Sequence, residues 1–195
     1  MKIGLFFGSF NPVHCGHMII ANYMISHANI DKLWMVVSPQ NPFKQKKTLA
    51  RDYDRLHLLT LSIGDNLKIQ ASDIEFSLPQ PSYTIDTLTF LKEKYPQHEF
   101  SLIMGGDNLV TFHKWKNYEL LLENHKILVY KRPENEVPKL AEHKNIEIYD
   151  APLLDISSSY IRNLIKEGKS IRYLVTDKVY EYLDETPIYR KMLNQ

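Results

Sequence analysis

The sequence predicts an α/β fold, a doubly wound parallel sheet with flanking helices, and three observations carry that prediction. Lys2-Ile3-Gly4-Leu5-Phe6-Phe7 is a continuous apolar run rather than an alternating one, the pattern of a strand covered on both faces. Ile19, Ile20, Tyr23 and Met24 then recur at helical spacing with no proline among them. Leu33-Trp34-Met35-Val36-Val37 is a second continuous run. It closes a β-α-β unit, and a right-handed crossover makes its two strands parallel.

The rest of the chain continues the alternation. Pro39 to Lys47 holds two prolines and three lysines and reads as a basic loop. Ala50 to Ile63 is an amphipathic helix with Tyr53, Leu56, Leu59 (or Thr60) and Ile63 expected on one face. Leu67–Ile69 and Ile74–Phe76 are short strand candidates. Ile85, Leu88 and Leu91 mark a helix from about 84 to 95, with Ser82 or Thr84 as its expected cap. Phe100–Met104, Ile127–Tyr130 and Ile146–Tyr149 are further strands. The stretch from Lys131 to Asn145 is polar, carries Pro133 and Pro138, and reads as irregular surface. A helix follows Ser157-Ser158-Ser159, and another spans Thr176 to Leu183. Pro187 to Gln195 is expected to be a loosely held tail on a single domain covering 1–195.

Composition sets broad limits. A chain of 195 residues can bury a sizeable core, and a formal net charge of +1 gives no global argument for a nucleic-acid partner. The lone cysteine, Cys15, excludes an intramolecular disulfide framework and suits a reducing cytosol. The first apolar run is too short and strand-like for a signal peptide, and no stretch approaches the roughly 20 apolar residues that span a bilayer. A cytoplasmic protein without a membrane partner is therefore expected, and a homo-oligomer is compatible with the sequence.

The chemistry concentrates in loops at the carboxyl edge of the sheet, where open α/β sheets bind ligands. The first, Gly8-Ser9-Phe10-Asn11-Pro12-Val13-His14-Cys15-Gly16-His17, joins the first strand to the first helix. Gly8 and Gly16 let backbone approach a ligand. Free N–H groups at the helix start favour an anion. His14 and His17, three apart, make a phosphate clamp in that setting; paired metal ligands and structural histidines are the competing readings. Neither G-x-G-x-x-G nor a Walker A loop is present. Asp107, after Gly105-Gly106, suits a ribose diol or a helix cap. Trp115, flanked by Lys114 and Lys116, suits a stacking platform or a partly buried core position. The serines at 157–159 cap a helix and also offer a phosphate its hydroxyls and N–H groups, with Arg162 one turn in as a charge-assisted donor.

These residues carry a resemblance. Gly8-Ser9-Phe10-Asn11-Pro12-x-His14-x-Gly16-His17 is similar to the signature of the nucleotidyltransferase superfamily with the H-x-G-H motif. Ile156-Ser157-Ser158-Ser159-x-x-Arg162 resembles its second signature, with Ser159 standing where a threonine is usual. Pro39-x-x-Pro42-x-Lys44 resembles that family's phosphate-contacting loop, while Lys46 and Lys47 read as solvated. Gly105-x-Asp107 matches its Gly-x-Asp turn. Pro81-Ser82-Tyr83-Thr84-x-Asp86-Thr87-Leu88 resembles the bacterial nicotinate mononucleotide adenylyltransferases. Arg172-Tyr173-Leu174-Val175 also looks like the family's pattern, without a physical account from sequence.

The resemblance spans about 2–182 and implies a Rossmann-like sheet and adenylyl transfer from ATP to nicotinate mononucleotide, a step of NAD biosynthesis. It implies catalytic roles for His14, His17, Lys44 and Arg162. It implies substrate contacts at Gly8, Ser9, Phe10, Ser82, Tyr83, Thr84, Gly106, Asp107, Trp115, Ser157 and Ser158, with Trp115 stacked on the nicotinate ring. Mg²⁺ would arrive on ATP, with no metal site of protein side chains. No nucleophile–base–acid triad is legible, as expected where positioning and charge neutralisation do most of the work. A pantetheine-phosphate adenylyltransferase is the alternative enzyme, and a non-catalytic nucleotide sensor or a nucleic-acid binder are alternatives of other classes.

Overall fold

The computed structural model describes residues 1–39, 49–131 and 138–193. Six strands form one sheet: β1 (Lys2–Gly8), β2 (Lys32–Val37), β3 (Ile69–Ser72), β4 (Glu99–Gly105), β5 (Ile127–Tyr130) and β6 (Ile146–Tyr149). Their order is β3-β2-β1-β4-β5-β6 and every pairing is parallel. This is the doubly wound arrangement expected, with the order reversing between β1 and β4. A crevice opens there beyond the carboxyl ends of the two strands.

Eight α-helices accompany the strands among the described residues: α1 (Cys15–His27), α2 (Asp52–Ile63), α3 (Thr84–Lys94), α4 (Gly106–Thr111), α5 (Tyr118–Asn124), α6 (Ser158–Lys166), α7 (Asp177–Glu185) and α8 (Ile188–Leu193). Strand alternation sends side chains to two cores. Phe6, Leu33, Met35, Ile103 and Leu128 pack with Met24 of α1, Leu58 of α2, Ile161 of α6 and Val179 of α7. Ile3, Leu5, Val36, Leu102 and Val129 pack with Leu88 of α3, Leu109 of α4 and Leu121 of α5. Both faces of the sheet are covered, which is why its strands read as continuous apolar runs.

Several local expectations change. Ile74–Ser77 is a short 3₁₀ turn, not a strand. The third strand lies at Ile69–Ser72 rather than Leu67–Ile69, and Leu67 is exposed. Tyr53 does not face the core: it is 72% exposed and meets Phe76 edge-on, while Arg55, Leu58 and Leu59 form the buried side of α2. Neither Ser82 nor Thr84 caps α3, whose N-cap position is Tyr83 with no side-chain cap bond.

The segment after Pro187 differs most from the expected loose tail. It forms α8, and Tyr189 is 1% exposed. The Tyr189 hydroxyl donates to Asn11 Oδ1 at 3.0 Å. An aromatic of that size buries enough apolar area to hold a two-turn helix in place, and α8 packs against α6.

Candidate active site

The crevice at the strand-order reversal is a cavity of about 1220 Å³. Residues 8–17 leave β1 and enter α1 at its centre. His14 and His17 both line it. Their rings lie 3.7 Å apart between centroids, tilted by 31°. His17 Nδ1 accepts the His14 backbone N–H at 3.3 Å. A neutral His17 with an accepting Nδ1 carries its proton on Nε2, so the second ring nitrogen is the donor.

Gly8 and Gly16 both line the cavity, and their lack of a Cβ serves a further purpose. A Cβ on Gly8 would fall 2.7 Å from the Phe10 ring, and one on Gly16 would fall 3.1 Å from the His14 ring. Their bareness makes room for the protein's own aromatic rings first. Phe10 itself is 1% exposed and stands edge-on behind His17, with 5.1 Å between ring centroids. Its side chain supports the histidine and does not line the cavity, as Gly8 and Ser9 do. The backbone at Phe10 has φ 43, a conformation costly for a non-glycine residue and held here by the surrounding packing.

The second signature closes over the first. The Ser157 hydroxyl accepts the Tyr160 N–H at 3.1 Å and so caps α6. The Ser158 hydroxyl donates to the Pro12 carbonyl at 2.9 Å. Arg162 donates from Nη1 to the Asn11 carbonyl at 2.7 Å and from Nη2 to the Ser159 hydroxyl at 3.1 Å. Partial burial pulls its guanidinium below the usual arginine range, yet an arginine stays charged at any working pH. Ser157, Ser158 and Arg162 all line the cavity. Thus the N-termini of α1 and α6 open into one space with two imidazoles and a guanidinium. Together these groups suit a polyphosphate.

Ser82, Tyr83 and Thr84, at the start of α3, line the same cavity, as do Trp115 and its neighbours Lys114 and Lys116. Trp115 packs on Phe112 with 5.4 Å between centroids, so the residue is half buried while still presenting surface to the cavity. Asp107 lines the crevice where β4 ends, in the first turn of α4. Gly106 begins that helix and does not line the cavity. Lys44, Lys46 and Lys47 lie outside the described residues. Among the described residues, no three His, Cys, Asp or Glu side chains gather as a metal site.

Four further contributors emerge, of which Arg55 and Glu75 were not singled out in the sequence. Arg55 is fully buried and donates to the carbonyls of Ser38 at 2.9 Å, Ala50 at 3.1 Å and Ser9, while pairing with Asp52 at 2.7 Å. It ties the ends of β1 and β2 together; its place in register with Leu58 and Leu59 was the available signal. Asn11 accepts from the Ala50 N–H at 3.1 Å as well as from Tyr189. Glu75, 2% exposed, accepts from the Thr87 hydroxyl at 2.8 Å, and burial pushes its carboxyl above the usual range. Finally, the Leu174 carbonyl accepts the Cys15 N–H at 2.9 Å, with Ile171 and Val175 buried on either side. This gives the Arg172–Val175 pattern its physical role: it holds the entry to α1.

The profile of the cytidylyltransferase-like family matches residues 5–164. The chain belongs to this family. Its relatives include a Flavobacterium johnsoniae protein named "Probable nicotinate-nucleotide adenylyltransferase", 58% identical over 193 residues and covering 98% of this chain and 100% of the relative. A Cytophaga hutchinsonii protein of the same name is 56% identical over 183 residues, covering 94% and 95%. Among solved structures, the Plasmodium falciparum nicotinic acid mononucleotide adenylyltransferase complexed with NaAD superposes with a TM-score of 0.81 over 97% of each chain. At 22% identity that match concerns the fold, and it agrees with the six-stranded parallel sheet. Among the described residues no helix is long and apolar enough to cross a membrane.

Proposed function

We infer that this chain transfers the adenylyl group of ATP to nicotinate mononucleotide, forming nicotinate adenine dinucleotide and pyrophosphate, a step of NAD biosynthesis. The observation behind this is that two sets of side chains line one cavity. One set is His14, His17, Arg162 and the start of α6. The other is Tyr83, Thr84 and Trp115. The first suits phosphates and the second suits a flat ring on a nucleotide. The names of the relatives over nearly the whole chain support the same reaction.

In this mechanism the 5′-phosphate of the mononucleotide attacks the α-phosphorus of ATP in line. A new P–O bond forms, the bond to the α–β bridging oxygen breaks, and pyrophosphate takes the electron pair. The attacking phosphate is already an anion, so no general base is needed. His17, donating from Nε2, and His14 steady the charge on the α-phosphate and the bridging oxygen. Arg162 and the N–H groups at Ser157–Ser158 hold the β- and γ-phosphates. Lys44, outside the described residues, is assigned to the same phosphates on the resemblance of Pro39-x-x-Pro42-x-Lys44 to the family's phosphate-contacting motif. Asp107 accepts from a ribose hydroxyl, with Gly8 and Ser9 shaping backbone around the nucleotides and Gly106 starting the helix that carries Asp107. The amides near Ser82, Tyr83 and Thr84 meet the pyridine, and Trp115 stacks on it. A divalent cation such as Mg²⁺, carried by ATP, would add to the charge neutralisation that His14, His17 and Arg162 provide at the phosphates. A cytosolic location, where ATP is available and thiols stay reduced, fits the single cysteine.

The test is product identification. Purified protein with ATP, Mg²⁺ and nicotinate mononucleotide should yield one dinucleotide of nicotinate and adenine per pyrophosphate by mass spectrometry. Pyrophosphate without that dinucleotide, or no turnover, would overturn the reading.

A further inference from the structure

Lys116 has an arrangement that the reaction above does not use. It follows Trp115 directly and lines the cavity beside Tyr83 and Thr84. Its ammonium bonds both oxygens of Asp86, at 2.9 and 3.1 Å, and lies 4.6 Å from the centre of the Tyr83 ring. Two of its three N–H donors are therefore engaged, and a third remains. The pair is about half exposed, 45% for Lys116 and 50% for Asp86. Exposed pairs of this kind are weak and readily repartitioned.

The charge balance around Lys116 also matters. The buried Glu75 carboxyl lies beneath Thr87, one turn into α3, and lines the same cavity. A ligand carrying its own carboxylate meets Lys116 as the cation beside Tyr83, with Lys114 also lining the cavity; Asp86 shares the Lys116 ammonium, and burial holds the Glu75 carboxyl toward its neutral form. A ligand carrying a neutral amide at the same ring position gains nothing from that cation.

Resting on the adenylyl-transfer reading, we propose that Lys116 is a specificity-determining residue whose ammonium favours the ring carboxylate of nicotinate mononucleotide over the amide of nicotinamide mononucleotide. Asp86 sets the strength of that preference by competing for the same ammonium. A second role is built into the same contacts, because Lys116 clasps the Trp115 segment to the start of α3. The two roles separate by sign. If charge selects the substrate, removing Lys116 lowers the preference and removing the Asp86 charge raises it. A clasp alone would make both changes act in one direction.

The experiment measures kcat/KM for the two mononucleotides with wild-type protein and with Lys116→Gln, Asp86→Asn and Lys116→Arg. The ratio of nicotinate to nicotinamide should fall roughly threefold to tenfold in Lys116→Gln and rise by a similar factor in Asp86→Asn, the scale of a partly screened charge contact. Lys116→Arg should hold the ratio. Added salt should shrink the wild-type ratio and leave that of Lys116→Gln nearly flat. Equal ratios in all four proteins, or a fall in both Lys116→Gln and Asp86→Asn, would overturn the proposal and leave the adenylyl-transfer reading standing. A wild-type protein that turns over neither mononucleotide would overturn both.

Discussion

Arg162 and Asn11 are 151 positions apart, and the Arg162 guanidinium donates to the Asn11 carbonyl at 2.7 Å. This bond fastens the start of α6 to the loop that carries His14 and His17. The same guanidinium reaches Ser159, a planar fork that lysine cannot reproduce. Replacing Arg162 with lysine should lower turnover by about tenfold to a hundredfold, and replacing it with alanine by about a hundredfold to a thousandfold. Steady-state kinetics with folding followed by circular dichroism checks this; equal turnover in lysine and wild-type proteins would show that the fork is not needed.

His17 is held from behind by Phe10 and at Nδ1 by the His14 N–H, so its second nitrogen is pre-oriented. His17→Ala should cost about tenfold to a thousandfold in turnover, the scale of one preorganised donor to developing charge. Single-turnover rates at saturating ATP measure it, and a near-normal rate would remove His17 from the chemistry.

Tyr189 tests the role of the final helix. Its hydroxyl is buried and bonds Asn11, so Tyr189→Phe should lose roughly 0.5–1.5 kcal/mol. For a chain of this size each 1 kcal/mol corresponds to about 2–4 °C of unfolding midpoint. Thermal unfolding should show a decrease of that order; an unchanged midpoint would mean that the bond contributes nothing to the fold.

Glu75 predicts a pH dependence. Its folded pKa is raised by burial above an unfolded value of about 4.3. The folded state therefore binds the proton more tightly. Stability from this group is fully present below about pH 4 and is lost as pH rises through the folded pKa. Glu75→Gln keeps an oxygen to accept from Thr87 but has no charge to desolvate. Its unfolding midpoint should exceed wild type by on the order of a few degrees at pH 8, with the gap closing toward pH 4. A gap that is constant across pH would contradict the burial argument.

Much of the fold was legible because parallel strands covered on both faces leave continuous apolar runs. Ile127–Tyr130 and Ile146–Tyr149 match their strands residue for residue. Ile74–Phe76 misled for a related reason: three residues with apolar ends fit a strand and a 3₁₀ turn alike, and tertiary contacts decide between them. Tyr53 misled through periodicity, since an aromatic at helical spacing can pack edge-on at the surface as well as inside. Arg55 escaped notice because a buried arginine is recognised only by the carbonyls that surround it, and these come from three separate segments. The cavity-lining residues were legible where motif and helix start coincide, as at His17 and Ser157. Phe10 and Gly8 belong to the same motif, but their roles as mutual packing partners depend on a ring position that spacing does not reveal. Tyr189 is an isolated aromatic in a polar stretch, and its partner Asn11 is 178 positions away.

The adenylyl acceptor inferred for this cavity is a pyridine mononucleotide and not another phosphate compound. The most direct measurement is pyrophosphate release from ATP and Mg²⁺ with nicotinate mononucleotide, nicotinamide mononucleotide and phosphopantetheine supplied separately. Release with the first, at least roughly tenfold faster than with the second and absent with the third, is the expected result, since an unpaired polar contact or charge is worth about that factor. Release with phosphopantetheine alone would contradict the nicotinate assignment, placing the chain in the same family with a different acceptor.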